Sequence, residues 1–120
     1  MKSFVSSLLI FALLLGGMIL NYHYINDTCD TLAARIDALP PCGEAEDAIA
    51  ALGAFWEAHK GKIELSVSGS DIEYFEESLA ELTVANQEKE EADFATAKAL
   101  LLEGVKRLRR LEQLDFVHLL

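Results

Sequence analysis

The sequence predicts an all-α protein in which an N-terminal transmembrane helix continues into an antiparallel four-helix bundle or a pair of helical hairpins. Three observations predict it. Residues 4–20 read FVSSLLIFALLLGGMIL without a charge, close to the ~20 apolar residues an α-helix needs to cross ~30 Å of hydrocarbon. Beyond them apolar residues recur at spacings of three and four, the period of helices that bury one stripe. No run alternates β-branched with polar residues over the length of a strand, so no sheet is expected.

Residues 1–24 form the signal-anchor segment. Tyr22 and Tyr24 follow the apolar run, and tyrosine suits the lipid–water boundary because its ring is apolar and its hydroxyl is wet. Lys2 precedes the run, the next Lys or Arg is Arg35, and Asp27 and Asp30 lie between. The positive-inside rule therefore places the N-terminus in the cytoplasm and the rest of the chain outside it. A cleaved signal peptide would share the basic start and the apolar run. However, Gly16-Gly17 is followed by Met-Ile-Leu-Asn-Tyr, which offers no A-x-A-like cleavage site. An uncleaved anchor is the expectation.

Residues 25–120 form one acidic helical domain, with helices expected at about 25–39, 44–68, 71–87 and 93–114. Ile25, Cys29, Leu32, Ile36 and Leu39 continue the membrane helix outward on one stripe until Pro40-Pro41, where the chain loses backbone donors and helical φ/ψ. The second helix opens with Glu44, Glu46 and Asp47 at its positive end and buries Ile49, Leu52, Trp56, Ile63 and Val67. Gly69 is its expected stop. Ser70-Asp71-Ile72-Glu73 reads as a capping box opening a third helix, with Ile72, Phe75, Leu79 and Leu82 inward. Asp93 is the expected cap of the fourth, whose stripe is Phe94, Ala97, Leu101, Val105, Leu108 and Leu111. Short connections favour antiparallel neighbours, so the fourth helix returns toward the bilayer.

Some function classes are disfavoured directly. Twenty acidic against ten basic residues give a net charge of −10, a field that repels phosphate backbones and argues against nucleic-acid partners. No G-x-S-x-G turn or Gly-rich phosphate loop occurs. A di-iron bundle site needs Glu-x-x-His on two helices, but His59 has Trp56 three residues before it and Asp115-Phe116-Val117-His118 carries Asp in place of Glu. Glu73, Glu76, Glu77 and Glu81 read as a solvated helical face. No catalytic residue, metal or cofactor is expected.

Three features carry binding hypotheses. An exported location permits a disulfide between Cys29 and Cys42, although Cys29 sits on the apolar stripe, where a buried thiol is the alternative. Trp56 and His59 share one helix face and offer an indole N–H and an imidazole to a ligand; a core anchor with a histidine at its edge is the favoured alternative. Lys106, Arg107, Arg109 and Arg110 cluster late in the fourth helix, ahead of an apolar tail that begins at Phe116. Returning to the bilayer, they would meet anionic headgroups; otherwise they serve the negative end of the helix dipole.

The arrangement resembles an uncharacterised bacterial family, a domain of unknown function with one N-terminal membrane helix and a small helical domain. The residues that carry the resemblance are the apolar anchor, FWEAHKGKIEL with Trp56, His59 and Lys60, Asp71-Ile72-Glu73 with Leu79-Ala80-Glu81-Leu82, and the late helix from Ala97 to Leu108. Where family members carry a histidine before the third helix, this chain has Gly69-Ser70. The resemblance implies a membrane-anchored protein with no assigned activity. The expected function is a non-enzymatic interaction or scaffold role toward an unknown protein partner, the alternative being a ligand-binding or sensing domain using Trp56 and His59.

Overall fold

The computed structural model describes residues 2–65 and 67–119, with side chains described through Arg109. It contains α1 (Lys2–Asp37), α2 (Glu46–Ile63), α3 (Gly69–Glu88) and α4 (Glu91–Leu119), and no strand among the described residues. The fold is all-α. Each helix packs on its neighbours in chain order, and α4 closes the ring on α1. The whole is a rod of 68 × 22 × 18 Å.

α1 is one uninterrupted helix with two surroundings. From Phe4 to Leu20 most of its large apolar side chains stand exposed, Leu13 at 75%, with Leu15 and Met18 half-buried. From Ile25 onward the stripe Ile25, Cys29, Leu32 and Ile36 is buried in the bundle core. By length and composition α1 is apolar enough to cross a membrane. It ends at Asp37 rather than Leu39: Leu39 N–H donates to Ile36 O at 3.2 Å, a tight last turn of the kind that closes helix termini, and the two prolines follow.

α2 starts without a side-chain cap of its own at Ala45. The buried amide of Ala45 is satisfied from another helix, because Asn86 Oδ1 accepts from Ala45 N–H at 3.2 Å and from Gly43 N–H at 2.8 Å. Gly43 has φ +90°, a conformation open to glycine and strained for side-chain-bearing residues. α2 stops at Ile63, five residues short of the expected end. Val67 N–H donates to Ile63 O, which turns the chain so that Val67 is buried while Leu65 faces outward.

The α3 cap is Ser68, whose Oγ accepts from Ser70 N–H at 3.3 Å; the expected capping box at Ser70 and Glu73 is not used. Leu79 is only partly buried, and Ser78 takes the deeper position by donating its hydroxyl to Tyr74 O at 2.8 Å. α3 ends on Lys89, in the left-handed region at φ 56°, where Glu90 N–H reaches back to Ala85 O. α4 then begins from Glu90, whose carbonyl accepts from Phe94 N–H at 2.8 Å, not from Asp93. Its stripe through Leu108 is buried as expected; the side chain of Leu111 lies outside those described. Gly104 lets α3 and α4 approach closely, since a Cβ there would stand 3.4 Å from both Phe75 and Tyr74.

Candidate functional site

Trp56 and His59 leave α2 in different directions. Trp56 is 1% exposed, stacks on Phe75 of α3 at 4.4 Å between ring centres, and donates Nε1–H to Glu76 Oε2 at 3.1 Å. The same carboxylate oxygen lies 2.9 Å from Lys60 Nζ. Glu76 is thus no member of a solvated face; it is the acceptor that a buried indole requires. Its hydrogen bond from Lys60, helped by the one from Trp56, holds its carboxyl below the usual carboxylate range, and the same bond holds Lys60 above the usual lysine range. His59 instead hydrogen-bonds through Nδ1 to Phe55 O at 2.8 Å, and its ring lies against Phe55 and Tyr24. Neither Trp56 nor His59 lines the groove between α3 and α4, the cleft between α1 and α4, or the cleft between α2 and α3 that Lys60, Glu73 and Glu76 line.

Cys29 and Cys42 are not bridged. Cys29 is buried among the α1 core residues. Cys42 directs its thiol to Ala85 O at 3.6 Å, and burial, with Glu91 and Glu90 nearby, pushes that thiol up.

Two of the late cations have partners at the bundle surface. The Arg107 guanidinium sits 4.1 Å over the Tyr74 ring and near Glu103, and Arg109 pairs with Asp30 of α1. These contacts tie α4 to both neighbours. Lys106 is exposed. The side chains of Arg110 and Phe116 lie outside those described.

One surface groove, of about 450 Å³, runs along the α3–α4 hairpin. Ala80, Val84 and Ala85 give it an apolar floor, and Glu81, Glu88 and Asp93 rim it. Val84 is 50% exposed, and no cation lines the groove. Sequence reasoning placed Glu81 on a helix face and Asp93 at a cap, but nothing local brings them with Glu88 around one apolar floor, which only the packing of α3 on α4 creates. A second cleft between α1 and α4 is lined by Ala33, Asp37, Leu102, Glu103, Val105, Lys106 and Arg109. Among the described residues no group of three or more His, Cys, Asp or Glu side chains is placed to hold a metal. Comparison with family models, curated proteins and solved structures finds no match, so the bacterial family resemblance rests on the residues quoted for it.

Proposed function

We propose that this chain is a single-pass membrane protein without enzymatic function, which holds its acidic domain outside the cytoplasm and binds a cationic segment of a protein partner along the α3–α4 groove. The observation that carries this reading is α1 itself. Its exposed apolar half and its buried half form one helix, so the anchor is also a wall of the domain. The orientation follows from Lys2 before the apolar run and Asp27 and Asp30 after it. Charge complementarity supports the partner class, since an apolar floor rimmed by three carboxylates on a chain of net charge −10 attracts a basic amphipathic segment and repels nucleic acid. A ligand site at Trp56 and His59 has less support, because the two side chains diverge and share none of these clefts.

A photo-crosslinking residue at Val84, in cells of the native host, tests the partner reading. The expected adduct joins Val84 to a Lys- or Arg-rich segment of another protein and disappears in the Glu81→Gln, Glu88→Gln, Asp93→Asn triple variant. Adducts unchanged by the triple variant, adducts only between copies of this chain, or no adduct would overturn it. A reporter fused after Leu120 tests the orientation, and activity on the cytoplasmic side would reverse it.

A further inference from the structure

The connection between α2 and α3 presents a leucine to the outside at the membrane-proximal end of the domain. Leu65 is 86% exposed, more than Leu13 in the middle of the apolar run. The residues flanking it are tied down: Glu64 N–H donates to Lys60 O at 2.9 Å, Val67 N–H to Ile63 O at 3.0 Å, and Ile63 and Val67 are buried on either side. An outward leucine between two inward apolar residues is therefore a built feature of the turn.

Its height relative to the membrane is fixed by α1. Lys62 Nζ lies 4.9 Å over the Tyr24 ring, which sets the end of α2 level with Tyr24. Tyr24 stands four residues beyond Leu20, the end of the apolar run, or about 6 Å along a helix. α2 runs antiparallel to α1, so the chain beyond Lys62 continues toward the membrane. No break in α1 separates this level from the span.

Resting on the single-pass reading above, we infer that the α2–α3 loop is a second membrane contact, with Leu65 entering the boundary between headgroups and acyl chains of the outer leaflet and Lys62 at the phosphate level. One leucine binds a bilayer weakly, but α1 already holds it there, so its contact is intramolecular and favoured by a high effective concentration. The contact fixes the rotation of the domain about α1. Val84 lies fifteen residues from Gly69 along α3, roughly 22 Å, so the docked loop leaves the acidic groove facing away from the lipid.

The test uses the full chain in vesicles of phosphatidylcholine with phosphatidylglycerol, labelled with an environment-sensitive fluorophore. Single labelling sites are made by Leu65→Cys, Val84→Cys and Leu13→Cys, each with Cys42→Ser; buried Cys29 stays unlabelled. The expected result is a blue-shifted Leu65→Cys probe quenched by lipids brominated near the headgroup end of their chains, with Val84→Cys unquenched and Leu13→Cys quenched by deeper bromines. Quenching at Leu13→Cys without quenching at Leu65→Cys overturns the loop contact and leaves the anchor standing. A blue shift at Leu65→Cys without lipid quenching assigns it to a protein contact and also overturns it. No quenching at Leu13→Cys overturns the anchor and this inference together.

Discussion

Asn86 is the buried polar residue on which the junction of three helices turns, and its replacement by alanine is the sharpest test of the fold. Its Oδ1 accepts two backbone N–H groups, from Gly43 and Ala45, across a sequence separation of more than forty residues. Alanine removes the acceptor and leaves both donors in place. Ala45 is fully buried and Gly43 partly so. A buried donor left unsatisfied costs about 1–3 kcal/mol; taking ~2 for Ala45 and ~1 for Gly43 gives a loss of roughly 3 kcal/mol. For a domain of this size that lowers Tm by roughly 12–24 °C. Asn86→Asp keeps an acceptor at the same reach and should lose less than half as much. The measurement is thermal unfolding by far-UV circular dichroism, paired with amide hydrogen exchange at Gly43 and Ala45. A Tm for Asn86→Ala within about 4 °C of the parent, or Asn86→Asp as damaging as alanine, would show that another group satisfies these amides.

The remaining predictions concern backbone strain, pH and thiol chemistry. Gly43→Ala forces a Cβ onto φ +90° beside Lys89 Cγ and should destabilise by about 1–2 kcal/mol, whereas Lys89→Gly relieves a left-handed lysine and should gain about 1 kcal/mol; equal signs in urea melts would refute the strain assignment. Glu76 has a lowered folded pKa, so its stabilisation is complete above the ordinary glutamate value of about 4.3 and fades as pH falls through the lowered one. Lys60 is raised, so its share is complete below the ordinary lysine value of about 10.4 and is lost as pH rises through the raised one. Trp56 fluorescence melts should therefore show a gap between parent and Glu76→Gln that is full near neutrality and closes in acid; a gap independent of pH contradicts the clamp. With its thiol pushed up by burial and by Glu91 and Glu90, Cys42 should alkylate more slowly than glutathione at pH 8, and Cys29 only on unfolding, as read by mass spectrometry.

The sequence was most informative where one stripe meets one core. Ile25 to Ile36 on α1, Ile49 to Ile63 on α2 and Phe94 to Leu108 on α4 were all legible from spacing, because burial follows helical period whatever the partner. Caps were less legible. Ser68 and Ser70 are chemically equivalent candidates two residues apart, and the choice was made by Val67 being drawn into the core. Asn86 carries no sequence signal, since nothing local reveals that two amides from the α1–α2 turn converge on it. Glu76 looked like its solvated neighbours for a related reason: only the pairing of α2 with α3 brings the Trp56 indole to it. The Arg107 and Arg109 contacts likewise depend on helices far apart in sequence.

On the single-pass reading proposed above, the unbroken course of α1 would also make the domain a lever. The helix continues seventeen residues past Leu20 to Asp37, roughly 25 Å, and a tilt of about 20°, ordinary for a transmembrane helix, moves that far end sideways by about 9 Å. The apolar run is itself short, about 25 Å against ~30 Å of hydrocarbon, a mismatch that local thinning of the bilayer would meet. On that reading, the match between this run and the bilayer would set how far the acidic groove stands from the surface.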